Sequence, residues 1–349
     1  MKIAYDAKRY YHNRTGLGNY SRTLVNNIAT FYPDVETLLY DKKALSRTFR
    51  LGHKAKADKC DILHGLSNEL PRDIIKAGIK SIVTMHDVAW RTFPDMYKPI
   101  DRVIYEWKYG WSAKHATHVI CISESTKRDV MRFYNVPEER ISVIYQPVQQ
   151  IFYTPMDKAE AQAIVKKYVD EDFILTVGSI NERKNLLGML KAYIRQDMRP
   201  KFVVIGNGRA YRKKCELYIE GKGLSDRVLI LDNIHDGKTL QAFYTCAKIL
   251  LYPSFYEGFG LPVVEAALQH CPIITSDVSS LPEAAGAGAI KTAPNDIMTM
   301  ASSIKRLLTD PQECQDLGNK AHEHAISHFT PQILTEQLYK LYQSLIHNS

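Results

Sequence analysis

A chain of 349 residues with 45% hydrophobic and 24% charged residues has an ordinary globular composition, too long for one core, so two domains are expected. No apolar run approaches the length needed to span a bilayer. The net charge of +8 lies wholly in residues 1–150, where 24 Lys and Arg face 16 Asp and Glu; the remainder is balanced at 22 of each.

A basic half favours acidic partners, whether a phosphorylated acceptor, an anionic membrane face or nucleic acid. The plainer alternative is a solvated basic surface. Met1-Lys-Ile-Ala-Tyr-Asp-Ala reads as the start of a strand and not as a secretory leader, and the six cysteines are scattered, with no C-x-x-C and no clustering with His. The expectation is a cytoplasmic protein with isolated thiols.

In chain order, strand-like runs at 2–6, 36–40, 61–64, 81–86, 118–122 and 142–145 alternate with helical stretches. That alternation predicts a parallel sheet with helices on both faces. Arg-Thr-Gly-Leu-Gly-Asn-Tyr-Ser-Arg at 14–22 follows the first strand. Its glycines let backbone approach a ligand or simply make a tight turn. Ser21 stands where a dinucleotide fingerprint needs a third glycine. Thr84-Met-His86-Asp87 closes the fourth strand, and His64 closes the one before it; each His is either a site residue or a satisfied strand-end polar group. Residues 42–59 hold seven basic residues against one acid. All three tryptophans, Trp90, Trp107 and Trp111, lie between 90 and 115 with Tyr97, Tyr105, Tyr109 and several cations. Such a surface suits a membrane interface, a lipid-linked acceptor or stacked bases, while the bland alternative is a helix packed on the core. Ser123 before Glu124-Ser-Thr reads as a helix N-cap.

The linker is expected around 149–157, where Pro147 and Pro155 flank a short irregular segment. A second alternating series follows at 173–178, 202–206, 228–232, 249–252 and 272–276, and a closing helix at 332–346 carries apolar residues at helical spacing. Two such sheets in tandem predict an α/β protein of two doubly wound domains facing across a cleft, with ligands at the carboxyl ends of the strands. Arg183-Lys184 sits after a strand and before a helix, where a planar fork and a point charge can both meet phosphate oxygens. Tyr252-Pro-Ser-Phe-Tyr-Glu-Gly-Phe-Gly-Leu-Pro-Val-Val-Glu265 runs from a buried strand through a glycine loop to a helix start. It brackets an anion-binding place with Glu257 on the loop and Glu265 in the expected first helical turn. Capping alone would also explain Glu265.

Glu257-Gly-Phe-Gly-Leu-Pro-Val-Val-Glu265 resembles the E-x7-E signature of the group 1 (family 4) glycosyltransferases, retaining enzymes of the GT-B fold, and the resemblance covers nearly the whole chain. It implies a Rossmann-like acceptor-side domain at 1–150, a donor-binding one at 151–330, and a helix at 331–349 crossing back to the first. It implies a nucleoside diphosphate sugar bound by Arg183, Lys184, Glu257, Gly258, Phe259, Gly260, Leu261 and Glu265. Gly206, Asn233 and Ile234 would cradle the base, Gly16 and Gly18 would lie over the phosphates, and His86 near the donor sugar. Catalysis would fall to Glu257, His86, Arg183 and Lys184. Fixed cations would take the place of a metal, so no metal or other cofactor is expected. The acceptor would be a glycan or lipid-linked saccharide. The basic half would make peripheral contact at the inner membrane face, and no nucleic acid partner is expected. The His86-Asp87 and Glu182-Arg-Lys-Asn185 pattern is most similar to mannosyl-transferring members acting on surface polysaccharides. The family more often has Arg where Ser179 stands and Gly where His270 stands. Two other readings remain at this stage: a nucleotide-sugar epimerase of similar fold, and a non-enzymatic nucleotide- or nucleic-acid-binding protein.

Overall fold

The computed structural model describes residues 1–13, 16–41, 44–195 and 200–347. Arg14 and Thr15 of the glycine-bearing segment, and Lys42 and Lys43 of the basic stretch, lie outside the described residues. The chain forms two compact units, Met1–Val148 with Phe329–Ser349, and Gln149–His328.

The first unit is built on β1 (Lys2–Asp6), β2 (Glu36–Tyr40), β3 (Ile62–Gly65), β4 (Lys80–Met85), β5 (His118–Cys121) and β6 (Ile141–Val143). All pair in parallel in the order β2-β1-β3-β4-β5-β6. Helices cover both faces, so the central strands are apolar runs instead of alternating ones; every residue of β3 and β5 is buried. The terminal helix Pro331–His347 belongs to this unit. Leu338 and Tyr342 join the core of Ile3, Tyr5 and Tyr20, and Tyr339 stacks on Tyr32 with ring centroids 3.8 Å apart.

The second unit holds β7 (Phe173–Val177), β8 (Lys201–Ile205), β9 (Val228–Leu231), β10 (Ile249–Tyr252), β11 (Ile273–Ser276) and β12 (Ala289–Thr292), ordered β12-β11-β10-β7-β8-β9 and parallel throughout. The chain order reverses between β7 and β10, which lie side by side with Ile174 opposite Ile249 and Leu175 opposite Leu250. At such a switch point the two following connections leave in opposite directions and open a crevice at the carboxyl edge. This is a doubly wound fold twice over, the α/β class expected from the alternating pattern.

Three expectations need correction. Strand β12 is absent from the sequence reading; Ala-Ile-Lys-Thr is short, preceded by glycine and only partly buried at a sheet edge, so it carries neither a long apolar run nor clean alternation. Gly16 and Gly18 are not in a loop directly after β1. A short helix, Lys8–His12, intervenes, and both glycines belong to the start of the helix Gly16–Phe31. Gly18 is buried where a Cβ would sit 1.8 Å from the Asn13 carbonyl oxygen, so its lack of a side chain is a packing requirement, whereas Gly16 is exposed with open space around it. His64 is not a strand-end site residue. Its Nδ1 meets the Tyr342 hydroxyl at 2.7 Å and its Nε2 the Thr84 hydroxyl at 2.8 Å, and burial pulls its pKa down to about 3. This neutral ring ties the terminal helix to the middle of the first sheet. Elsewhere Ser123 caps its helix as expected, accepting from the Thr126 N–H. His270 takes φ 55, the left-handed conformation usually given to glycine, held by stacking on His322 and by a 3.0 Å hydrogen bond with Asn319.

Candidate active site

In the second unit, the loop after β7 turns through a 3-10 segment, Glu182–Lys184, that Asn181 caps by accepting from the Lys184 N–H. The turn ends at Asn185, a non-glycine residue at φ 61. Left-handed backbone costs an L-residue about 1 kcal/mol and persists only when its surroundings over-determine it. Here the Asn185 Nδ2 donates to the carbonyls of Pro253 at 3.1 Å and Pro294 at 2.6 Å, pinning the loop after β7 to the one after β10. Ser279, at φ 55, plays a similar part on the other side: its Oγ accepts from the Glu257 N–H at 3.0 Å. The neighbouring Ser280 hydroxyl, 2.8 Å from each of the Glu257 and Phe259 carbonyls, holds the glycine loop from below.

These constraints bring Arg183 and Lys184 onto Glu257. Arg183 Nη1 lies 2.9 Å from Glu257 Oε2 and also donates to the Tyr256 carbonyl. Lys184 Nζ lies 2.7 Å from Glu257 Oε1 and also donates to the Tyr252 hydroxyl, which itself donates to Oε1 at 3.2 Å. Burial alone would raise the Glu257 pKa, but the charges and hydrogen bonds of Lys184 and Arg183 outweigh it and hold the carboxyl at about 2. The result is two cations and one ionised carboxylate at the topological switch point, under the carboxyl ends of β7 and β10.

The helix Leu261–Leu268 begins at Gly260, whose φ of 118 favours glycine, and no side chain caps it. Pro262 has no N–H and the Val263 N–H donates to the Gly260 carbonyl at 2.9 Å, so this helix start offers an anion the positive end of its dipole. Glu265 departs from expectation: it is the fifth residue of this helix, in the second turn, and no acid occupies the first. It does not cap. It is buried, accepts from the Tyr244 hydroxyl at 2.8 Å, and burial pushes its pKa up to about 7 despite that bond. Two carboxylates eight positions apart are thus driven to opposite ends of the carboxyl range by their surroundings.

This contrast sets a measurable expectation. A buried acid whose folded pKa exceeds its ordinary 4.5 adds stability below that value and loses it as pH rises through about 7. Replacing Glu265→Gln is expected to remove up to about 3 kcal/mol of that pH dependence. In urea unfolding, the variant gains on the wild type between about pH 5 and pH 8; parallel stability profiles would refute the buried, proton-binding Glu265.

The remaining expected donor residues sit around the same edge. Gly206 follows β8, where a Cβ would strike the Gly178 carbonyl oxygen at 1.9 Å. Asn233 is exposed and Ile234 half-buried beyond β9; Phe259 is buried, while Gly258 and Leu261 are partly so. His86, Gly16 and Gly18 belong to the first unit. His86 follows β4, buried, its Nε2 2.9 Å from the Leu66 carbonyl and its backbone N–H donating to Asn68 Oδ1 at 2.7 Å. A carbonyl can only accept, so Nε2 carries the proton and Nδ1 keeps a lone pair. Burial lowers the pKa of this neutral ring, which packs edge-on against Tyr20. Sequence reasoning missed Tyr252, Asn185, Tyr244, Ser279 and Ser280. Tyr252 and Asn185 stand at the ends of the quoted stretches but were given no role there; the other three have long-range partners and no local signal.

Comparison with known proteins agrees with this geometry. The profile described as glycosyl transferases group 1 matches residues 157–324, and the profile described as glycosyltransferase family 4 matches residues 11–149. The chain is 28% identical to the O-antigen chain mannosyltransferase B of Escherichia coli, over 89% of this chain and 91% of that one. Its fold is similar to a sucrose-phosphate synthase from Thermosynechococcus elongatus (TM-score 0.79, 20% identity, all of both chains). It is also similar to Anabaena HepE in complex with UDP-glucose (TM-score 0.78, 15% identity, 99% of this chain and 100% of that one). Nothing in these relatives supports the epimerase reading or the nucleic-acid reading.

Proposed function

The chain belongs to the group 1 glycosyl transferases, and from that premise we propose that it moves a mannosyl residue from a nucleoside diphosphate donor, with retention, to a surface glycan or its lipid-linked precursor at an anionic membrane face. The observation that carries the reading is the pairing of part-exposed Arg183 and Lys184 with buried Glu257 beneath the switch point of the second sheet.

The bond from the anomeric carbon to the diphosphate oxygen breaks, its electron pair passes to the leaving phosphate, and the acceptor oxygen bonds to the same carbon. The acceptor proton goes to the departing phosphate oxygen. The main requirement is stabilisation of the negative charge that grows on that oxygen. Arg183 offers its guanidinium, Lys184 a point charge, and the helix start after Gly260 the positive end of its dipole. Glu257, ionised at any physiological pH, accepts from donor-sugar hydroxyls and balances the cationic sugar. Glu265 accepts from the ribose hydroxyls. Mannosyl transfer is supported by the mannosyltransferase relative, and a nucleotide donor by the UDP-glucose complex of the HepE neighbour.

With the charges supplied by side chains, transfer is expected to persist in excess EDTA. The test is a panel of GDP- and UDP-sugars with glycan acceptors, monitoring acceptor-dependent release of the nucleoside diphosphate with and without EDTA. Release from GDP-mannose that survives chelation supports the proposal. Activity abolished by EDTA and restored by a divalent ion would overturn the fixed-cation mechanism, and response to no nucleotide sugar would overturn the assignment.

A further inference from the structure

Exposed large apolar side chains concentrate in one stretch of the first unit. Ile100 (62% exposed), Val103 (65%), Ile104 and Trp107 (50%) recur at the spacing of one helical face. They lie on the helix Pro99–Tyr105 and the π-helical turn Glu106–Gly110 that continues it. The other side of this run is anchored. Tyr97, Tyr105 and Tyr109 pack against a core containing the buried Trp90, with Tyr105 and Tyr109 stacked and both rings against Trp90. The run therefore cannot roll over to hide its stripe. The aromatic cluster that looked uniform in sequence divides into packed rings beneath and apolar tips above. By contrast, the exposed apolar residues of the second unit, Tyr168, Leu217, Met298 and Ile326, are far apart in sequence, as isolated surface apolar residues normally are.

The charge around the stripe indicates what covers it. Lys98 is exposed beside it, Arg102 follows Asp101 within it, and the Arg72 guanidinium lies 4.0 Å from the Trp107 ring and 4.3 Å from that of Trp111. Among the described residues, Asp95 and Asp101 are the nearby acids not held in ion pairs, since Glu106 is held by Arg91 at 2.7 Å. Residues 329–349 add one Lys and one Glu, so the whole unit keeps the +8 excess. An apolar ridge with a Trp on a cationic body complements an anionic lipid surface, where the ridge enters the headgroup–acyl boundary and cations meet phosphates.

We infer that the stripe Ile100, Val103, Ile104 and Trp107 is the surface by which the first unit inserts into an anionic membrane. The inference deepens the reading above by naming its membrane-facing surface. The test mixes the purified full chain with sedimentable vesicles of phosphatidylcholine, alone or with about one-third phosphatidylglycerol. Binding to the anionic vesicles, weak binding to the neutral ones and weakening with added salt are expected. Val103→Asp combined with Ile104→Asp, both at exposed positions, is expected to lower partitioning at least about tenfold. Ile100→Ser lowers it less. Melting temperature and its shift with nucleotide sugar should not change in either variant. Equal binding to both vesicle types, or wild-type affinity in the double variant, would overturn the inference. So would a wild-type dimer in lipid-free solution that the double variant turns into a monomer, because the stripe would then belong to a second copy. Nucleotide-sugar binding without vesicle binding would sink this inference alone, and vesicle binding without a nucleotide-sugar response would sink the enzymatic reading alone.

Discussion

Lys184→Ala is expected to lower kcat by about 10²–10³-fold, the usual effect of removing one preorganised charge from a developing anion. The ammonium lies 2.7 Å from Glu257 and donates to Tyr252, so its position is set before any phosphate arrives. Phosphate charge is present in the bound donor and increases as the bond breaks, so the loss should appear more in kcat than in the KM for donor. Arg183 still balances Glu257, so the stability loss should stay below the roughly 3–5 kcal/mol that follows when a buried charge loses its sole partner. Steady-state kinetics with a thermal melt separate the two effects. Near-normal kcat in a folded variant would remove Lys184 from the mechanism.

Glu257→Gln should have the larger effect on stability. The carboxylate is in ion-pair contact with both Arg183 and Lys184, and its loss leaves these two neighbouring cations facing one amide oxygen. A loss of about 3–5 kcal/mol at neutral pH is expected. The sign of the pH dependence provides a check. A carboxyl held at about 2 contributes stability above its ordinary 4.5 and loses it as pH falls toward 2, for a total of about 3 kcal/mol. The wild-type advantage should therefore shrink over that acid range, opposite in direction to the Glu265 effect. A nucleoside diphosphate brings negative charge to the same two cations, so GDP or UDP should raise the melting temperature of the variant more than that of the wild type. Equal shifts would mean that the diphosphate does not replace the lost charge. Turnover should fall with either ligand, because the sugar hydroxyls lose their ionised acceptor.

The two acids of one short motif show how far local reading reaches. Their eight-residue separation across a strand, a glycine loop and a helix start was legible, as was the Arg-Lys pair after another strand, because each feature is written in neighbouring residues. Which acid would be ionised was not. Glu257 is held at about 2 by cations more than 70 positions earlier, whereas burial lifts Glu265 to about 7 against the hydrogen bond from Tyr244. Its place in the second turn depends on where the helix begins, and boundaries are the least local part of a helix. The histidines make the same point. His64 and His86 both lie at or just beyond the end of a strand, yet contacts with Tyr342 and Thr84 make one a core tie, and Leu66 leaves the other with one nitrogen as an acceptor.

Sequence alone determined the α/β class, the doubling of the fold, the loops that bear the cations and acids, and the basic half. Each of these follows from hydrophobic period, turn residues and charge counts, which act over a few positions. Tertiary structure decided which charges meet, which carboxyl keeps its proton near neutrality, which glycine is demanded by packing and which aromatic rings face outward. Those outcomes depend on burial and on partners brought together by parallel strand order, and β7 lies beside β10 because of the whole sheet and not because of any segment within it.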